Sequence, residues 1–589
     1  MRYILTVFIL LIFAINIFAQ PTYYVSTTGN DANNGTSISS AWKTVKKAAT
    51  TVAAGSTIEI LAGTYHEKII PLVTGLPNNF ITIKNHQNDS VIIDGGGING
   101  WGVLTFYGPS YFKIQGIHFA ISDSSSAYNW QPAIIVGSIS SNIEFKNCTF
   151  NHLINKHSTG IALYGNDTTA NGVHDITITN CNFGNSIFSM AQAVGVAGNV
   201  HDCSITNNTI HHIANSGIAL VGSDSTSKKW IYDYARNISI SNNIIHDVYN
   251  KTPGNYQQGI VISGARNCMI EKNRIYNCDF GINISGYSNY ARTDYITIRE
   301  NLIYKNYLQG ISIGIYNYTN STARIRYANI HHNTLYQNNS LKTSAGEIVL
   351  FPFDSSSITH NIFYANNQNM IGYSWFYGAG WQNNVMDYNL FCSSFLNPTS
   401  IIFNWDGNYT TGFGYYKMVS NQDANSIFTD PLFVDENKND FHLYNTSKAV
   451  DAGNAAFTIT ANETDFENQS RIFNGKVDIG ADENQGEFIR DTISLGIVES
   501  EENEISVYPN PCGDKLLVTG HKLLENTIEI TNILGIVCPI PPFQRLQIPK
   551  ESGGLGGLEL NISTLSNGIY FLQLTDIAGK TYRKKFIKN

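Results

Sequence analysis

Along the middle of the chain, apolar and polar positions repeat one short pattern: apolar, any, apolar, any, any, Asn, any, apolar. It occurs as Ile238-Ser-Ile240-Ser-Asn242-Asn243-Ile-Ile245, as Ile296-Thr-Ile298-Arg-Glu300-Asn301-Leu-Ile303 and as Ala328-Asn-Ile330-His-His332-Asn333-Thr-Leu335. With the sixth position as marker, the series runs His86, Ile117, Cys148, Cys181, Asn208, Asn243, Asn273, Asn301, Asn333, Asn361, Asn389, at steps of 27 to 35 residues. A second motif follows most markers: Gly160-Ile-Ala-Leu, Gly217-Ile-Ala-Leu, Gly259-Ile-Val-Ile, Gly281-Ile-Asn-Ile and Gly310-Ile-Ser-Ile. Runs of period two between tight polar bends, with no room for a helix, predict short β-strands. One set of strands per ~30 residues, with inward columns in register, predicts an all-β parallel β-helix of about eleven or more coils, each ~4.8 Å above the last. The seven asparagines from Asn208 to Asn389 then form an internal amide ladder, a structural and not a catalytic device.

The open end of such a stack exposes unpaired strand edges. Residues 41–53 follow Ser40 with an apolar face of Trp42, Val45, Ala49 and Val52, which predicts an amphipathic capping helix with Ser40 as its N-cap.

Composition narrows the function. Hydrophobic residues make up 42% of the 589 positions, enough for a packed core, and charged residues only 14%, so the surface is built from neutral hydrogen-bonding groups. Formal net charge is −8, and no basic cluster occurs, which argues against a nucleic-acid partner. Arg2 precedes the apolar run Ile4–Phe18, and Ala19 ends it with small-residue cleavage chemistry, so residues 1–19 read as a signal peptide. The run is too short for a bilayer span, and no later stretch is long enough to cross one. Eight cysteines show no CxxC and no zinc-like Cys/His spacing; several fall where neighbouring repeats carry Ile or Asn, so they read as small buried residues.

Tyr23-Tyr-Val-Ser-Thr-Thr-Gly29-Asn-Asp31-Ala-Asn-Asn-Gly35-Thr, then Trp42-Lys-Thr and Gly63-Thr-Tyr65-His-Glu67, resembles the N-terminal region of secreted right-handed parallel β-helix proteins. That group includes several polysaccharide lyases and glycoside hydrolases, and the similarity covers residues 21–395. It implies the β-helix fold and polysaccharide degradation, requires no particular cofactor, and leaves room for calcium, which lyases of this fold often use. The closely spaced aspartates that hold calcium in several β-helix pectate lyases are not recognisable here. Residues 425–483, with Asp430-Pro-Leu-Phe433, Phe441-His-Leu443, Asp451-Ala-Gly453, Arg471 and Asp478-Ile-Gly-Ala-Asp-Glu483, look like a tail module that closes such β-helices and are expected to cap the C-terminal end. The stretch 491–504, acidic from Glu499 to Glu504, reads as a solvated linker. Beyond it, Val507-Tyr-Pro509-Asn-Pro511, Ile528-Glu-Ile-Thr-Asn532-Ile-Leu-Gly535, Leu565-Ser-Asn-Gly568-Ile-Tyr-Phe571 and Lys584-Lys-Phe586-Ile-Lys resemble the C-terminal sorting domain of type IX secretion substrates, a small β-sandwich known in Bacteroidota. The resemblance implies passage through the periplasm to the surface or the medium, with the type IX machinery as a partner. The expected organisation is thus 1–19 signal peptide, 20–395 β-helix with cap, 396–490 last coils and module, 491–504 linker and 505–589 sorting domain, in a monomer.

Chemistry is expected where loops depart from the common length. Gly264 reaches Cys268 in four steps, whereas Gly222 to Ile238, Gly286 to Ile296 and Gly314 to Ala328 are long, so a notch is expected at the short coil with Arg266 on its floor. The walls carry Asp224, Lys228, Lys229, Trp230, Tyr232, Asp233, Tyr234 and Arg236 on one side, and Tyr287, Tyr290, Arg292, Asp294 and Tyr295 on the other. Aromatic faces stack on sugar rings, and Lys or Arg pairs with uronate or sulfate. An unusually long bend, His246-Asp247-Val-Tyr-Asn-Lys251-Thr-Pro-Gly-Asn-Tyr256, precedes Arg266 and brings Asp247, Lys251 and Tyr256 toward the same cleft or toward another face. A lyase needs a base for the C5 proton of a uronate and cations for its carboxylate, with Lys228, Lys229, Lys251 and Arg266 as candidates. A hydrolase needs two carboxylates at ~5–5.5 Å or ~6.5–9.5 Å, with Asp224, Asp233, Asp247 and Asp294 as candidates. A glycan-binding surface protein without catalysis is the rival reading. Elsewhere Glu271 and Arg299 are expected to pair between coils at the surface, worth ~0.5 kcal/mol, with His331 exposed beside them. Asp31 is expected in a turn and not as a metal ligand.

Overall fold

The computed structural model describes residues 20–488 and 505–589, less 124–130, 155–157, 187–191, 223–232, 250–255, 287–290, 316–322, 344, 367–368, 375–380, 395–397, 461–462, 487, 509, 521–526, 533–536, 539–543, 547–555 and 576–580. The expected signal peptide and acidic linker lie outside the described residues. Two compact units result, 1–489 and 490–589.

The first unit is a parallel β-helix whose coils feed three sheets, of sixteen, thirteen and twelve strands among the described residues. The marker pattern supplies the first sheet, as in Arg236–Ser241, Arg266–Glu271 and Arg292–Arg299. The residues after each marker supply the second, as in Ile244–His246 and Arg274–Tyr276. The Gly-Ile motifs supply the third, as in Ser216–Val221 and Gln258–Ser263, and pair in register coil upon coil.

The asparagine ladder runs between the first two sheets. Asn208, Asn243, Asn273, Asn301, Asn333 and Asn361 each donate Nδ2–H to the Oδ1 of the next, at 2.9–3.2 Å, ending at Asn389. Each of these Oδ1 atoms also accepts from a backbone N–H of the coil before it, as Asn301 Oδ1 does from Asn273 N. The second amide proton returns to a carbonyl of that earlier coil, as Asn301 Nδ2 does to Ile270 O at 2.9 Å. Every buried amide group is thereby met twice over. Asn389 closes the run on the buried Asp423, which also holds Tyr416 and Ser426. In the earlier coils Ile117, Cys148 and Cys181 take the marker place, beside a stack of Phe119, Phe150 and Phe183 at 5.4 and 4.6 Å. All eight cysteines are free, and seven are buried.

From Cys148 on, the residue before each marker turns the corner with positive φ: Asn147, Asn180, Asn207 and Asn242, then Lys272, Glu300, His332, His360 and Tyr388. Asn tolerates this left-handed backbone, while the other side chains adopt it at a cost of roughly 1–2 kcal/mol each.

The N-terminal cap is shorter than expected. Its α-helix spans Val45–Ala49 with Thr44 as N-cap, not Ser40, and a separate 3-10 turn covers Ile38–Ser40. The reason lies in Asp31, whose carboxylate accepts from Lys43 N, Thr44 N and Thr44 Oγ1 and so holds those residues outside the helix. Glu67 accepts from Val45 N and Lys46 N, and the predicted face of Trp42, Val45, Ala49 and Val52 is buried.

Only the start of the segment 425–483 closes the C-terminal end as expected: Ile427–Phe428 adds the last strand of the second sheet on Leu390–Ser393. That end is covered by the hairpin Ile402–Trp405 with Asn408–Thr411 and by the helix Phe413–Ser420, whose Tyr416 stacks on Phe403 at 4.4 Å. Residues 430–486 instead run along the flank of the stack. Phe441 packs on Tyr304 and Tyr336, and Arg274 lies over Phe466 at 4.7 Å. The module buries charges expected at the surface: Arg299 pairs with Glu271 at 2.8 Å and also with Glu463 at 2.7 Å, and is 6% exposed. His331, expected outside, is 2% exposed beneath Phe457 and Glu463. Burial first, then Arg299 and Arg471, holds the His331 and His332 imidazoles well below their usual range. Arg471, fully buried, donates to the carbonyls of Asp478 and Gly480 and faces Glu300 at 3.4 Å.

The second unit has two antiparallel four-stranded sheets sharing a core of Leu516, Val518, Leu560, Ile530, Leu572 and Phe586.

Two outcomes are expected for the mature chain. Asn301→Ala removes the acceptor of Asn273 N and Nδ2 and the amide donor to Ile270 O and Arg299 O, and Asn273 Nδ2 and Arg299 O keep other partners, so denaturant unfolding should show a loss of about 2–3 kcal/mol, whereas Asn208→Cys, which copies the place of Cys181, should lose much less. Burial raises the Glu347 carboxyl to about 8 against an ordinary 4.5, the Asn338 amide opposing the shift, so this group's share of stability is complete below 4.5 and lost as pH rises through 8. Glu347→Gln should therefore raise Tm at pH 8 and above and converge with the parent below pH 4.5; a pH-independent difference would contradict this.

Candidate functional site

Parallel register turns sequence spacing into columns. At the corner where the third sheet hands over to the first, His174, His201, Arg236, Arg266, Asp294, Arg326 and Asp354 stand one above another on successive coils. Arg266 lies over the Tyr234 ring at 4.0 Å, its Nε 3.9 Å from Asp294 Oδ2. Arg326 approaches the other side of Asp294 at 3.3 Å. Asp294 is 5% exposed and is thus held between two arginines, while the Arg266 Nε has no hydrogen-bond acceptor. Arg236 donates to Asn199 at 2.8 Å. Arg292, exposed, stands in register with Arg324 one coil on. Five arginines against Asp233, Asp294 and Asp354 make a positive strip on a chain of net charge −8.

The next residue of each of these coils sits in left-handed backbone, and most coils use Asn or Asp there: Asn142, Asp175, Asp202, Asn237 and Asn267. Two coils use tyrosine, Tyr295 at φ 58° and Tyr327 at φ 57°. A bulky ring in that region is strained. The two rings stack at 4.7 Å and remain 55% and 41% exposed. An exposed aromatic pair beside an arginine strip suits a sugar face and its acidic substituents.

The structure brings together Arg266, Asp294 and Arg236 on this strip, with Arg292 at its edge. Asp233 stands near them in sequence, but its carboxylate lies over Gly198, toward the earlier coils. Asp294 is two coils beyond Arg236, ~9.6 Å by coil spacing, so Asp233 and Asp294 do not form a close carboxylate pair. Asp247 stands at another corner, between the second and third sheets, bound to His246 at 2.7 Å and accepting from Asn277. Tyr256 lies at the entry to the third sheet against Phe280. These two do not share the cleft with Arg266, because their bend leaves from the opposite edge of the strand that leads to it. Lys228, Lys229, Trp230, Tyr232, Lys251 and Tyr290, with Asp224 and Tyr287, lie outside the described residues. Sequence reasoning missed Arg324, Arg326 and Tyr327; aligning the repeats on their marker asparagines exposes them, since each tyrosine falls six residues before its marker, where other coils carry Asn or Asp.

A separate concavity lies on the flank, lined by Arg274, Phe441, His442, Phe466, Glu467 and Asp482. Burial opposes a charged His442, but Asp440 and Glu467 outweigh it and raise the imidazole to about 9. Its polar groups already pair with one another, which marks it as part of the module's attachment.

Residues 506–589 match the secretion system C-terminal sorting domain, and residues 200–294 match a family described as disaggregatase related. The sorting domain indicates export by type IX secretion, to the cell surface or the medium. An uncharacterised protein of Bacillus subtilis (strain 168), YwoF, is 28% identical over 444 residues, covering 71% of this chain and 90% of its own. Among solved structures, pectate lyase Pel9A is similar at TM-score 0.42 and 17% identity, covering 80% of this chain and 98% of its own. The A-module of the Azotobacter vinelandii mannuronan C-5 epimerase AlgE6 is similar at TM-score 0.40 and 11% identity, covering 64% and 90%.

Asp294 neutralises part of the strip, so Asp294→Asn should free Arg266 and Arg326 for an external anion. Affinity for a polyanionic polysaccharide, measured by affinity electrophoresis, is expected to rise about fivefold (~1 kcal/mol) with a steeper salt dependence.

Proposed function

We propose that this exported β-helix binds an acidic polysaccharide across the first-sheet arginine strip and cleaves it by β-elimination. The observation that carries the reading is the Arg266–Asp294–Arg326 arrangement over Tyr234, with Tyr295 and Tyr327 beside it. A guanidinium pairs with a uronate carboxylate through two parallel hydrogen bonds, and neutralising that carboxylate makes the C5 proton removable. A base then takes the proton, the C4=C5 bond forms, and the C4–O bond breaks with protonation of the leaving oxygen. Arg266 serves as clamp, and the base falls to Lys228 or Lys229, in the segment between Gly222 and Asp233 that begins and ends beside the strip. Asp294, paired with two arginines, suits this chemistry better than hydrolysis, which needs two carboxylates with distinct roles. Calcium, if used, would reinforce the clamp on the carboxylate. The second reading, binding without cleavage, is favoured by the exposed tyrosine pair, which serves a passive glycan platform equally well.

Incubating the mature chain with polygalacturonate, alginate and a neutral glucan, with and without calcium, tests the reading. Ultraviolet absorbance of unsaturated ends together with new reducing ends is expected on an acidic polymer, and Arg266→Gln should lower the rate about 10- to 100-fold, the loss of ~1.5–3 kcal/mol in charged hydrogen bonding. Reducing ends without absorbance would mean hydrolysis. Retention of the polymer with neither signal would leave the platform reading.

A further inference from the structure

Beneath the flanking module, three donor atoms from distant parts of the chain converge. His331 and His332 come from one coil and Glu463 from the module, and their ligand atoms lie within 4.8 Å of one another. His331 Nδ1 and His332 Nδ1 are 2.9 Å apart, and Glu463 Oε1 is 3.8 and 3.9 Å from them. All three side chains are buried. Glu463 Oε2 is occupied by Arg299, Thr460 N and Thr460 Oγ1, whereas Oε1 has no hydrogen-bond partner. Two neutral imidazoles meeting through Nδ1 satisfy each other with one shared proton, which leaves the Glu463 oxygen unmet. A buried carboxylate oxygen in that state is costly.

Charge balance points the same way. Glu271, Glu300, Glu463 and Glu483 face Arg299 and Arg471, with Lys272 at the edge, so carboxylates are in excess within a sealed junction. The repeat itself is altered here: His332 stands in the left-handed corner position where the earlier coils carry Asn, at φ 51°.

We propose that His331 Nδ1, His332 Nδ1 and Glu463 Oε1 bind a divalent transition metal, zinc foremost, that pins the flanking module to the coil stack. Two imidazoles and a carboxylate are ordinary zinc donors, with bonds of ~2.0–2.2 Å, which set tetrahedral edges of about 3.3–3.5 Å. The observed separations of 2.9 to 3.9 Å reach that geometry through shifts of a few tenths of an ångström. Glu300 Oε1, 3.9 Å from His332 Nδ1 and also without a hydrogen-bond partner, lies beside the three donors but outside their cluster. Two nitrogen donors select against calcium and magnesium. The burial of every ligand makes the site a closed, structural one, remote from the arginine strip.

The test uses the full mature chain without a polyhistidine tag, stripped with chelator and then given zinc or cobalt(II). One equivalent of zinc retained per chain by elemental analysis, a Tm several degrees higher than in chelator, and a visible cobalt spectrum of tetrahedral nitrogen and oxygen ligation are expected. His331→Ala and Glu463→Gln should each weaken zinc binding at least a hundredfold. His360→Gln, one coil on in the same corner column and not a ligand, should retain the full equivalent. Absence of zinc retention and of the cobalt spectrum in the folded parent chain would overturn the proposal, as would unchanged binding in both ligand variants. If the ligand variants do not fold, the cobalt spectrum of the parent chain decides.

Discussion

The rest of the structure depends on a buried amide that must find partners in the coils on either side of it. Each ladder asparagine between Asn208 and Asn389 gives one proton to the next asparagine and the other to a carbonyl of the coil before, and its oxygen takes two donors in return. An amide so placed fixes both the spacing of the coils and the register of the first sheet, because slipping by one residue would strand it without partners. The corner next to it is fixed as well, since the residue before the asparagine must adopt left-handed backbone for the amide to point inward. Variation is thereby driven to the other corners, and the longest departures from the repeat fall where the third sheet passes to the first.

The same constraint explains how new surfaces were made without changing the fold. Corner positions tolerate Asn best, so a corner carrying anything else is a place where some other interaction offsets the strain. At Tyr295 and Tyr327 the offset is mutual stacking in the open. At Lys272, Glu300, His332 and His360 it is contact with the flanking module, through Thr464, Arg471, Glu463 and Asn454. One device thus yields an exposed strip on one edge of the stack and a covered junction on another.

This also shows what was legible in the sequence. The ladder, the three strand sets and the Arg266 corner follow from periodicity, which reports local geometry repeated many times. The Asp31 turn followed from its Gly- and Asn-rich surroundings. The placement of the module did not follow, because nothing in residues 430–486 repeats, and a segment that closes a solenoid reads the same whether it lies over the end or along the side. His331 and Arg299 were read as surface residues for that reason: in an isolated coil they are outward, and only the module covers them. The cap helix was read too long because its apolar face continues past the point where Asp31 and Thr50 bound it. Closeness in sequence left Asp247 open to the Arg266 cleft or to another face, and it stands at the other, because a coil's successive bends face different edges.

The lateral course of the module has a mechanical meaning. A chain held at a cell surface through its C-terminal region feels tension at the end of residues 430–486, and a module seated on the last coil would peel that coil away first, one strand at a time. Here the strap is fastened not to the last coil alone but to every coil from Lys272 on, through Lys272, Arg299, Arg471 and His360. Pulling therefore loads several coils in parallel as shear, and the ladder, whose amides link those coils along the stack axis, shares the force among them. The stack would yield as a block and not unravel from its tip.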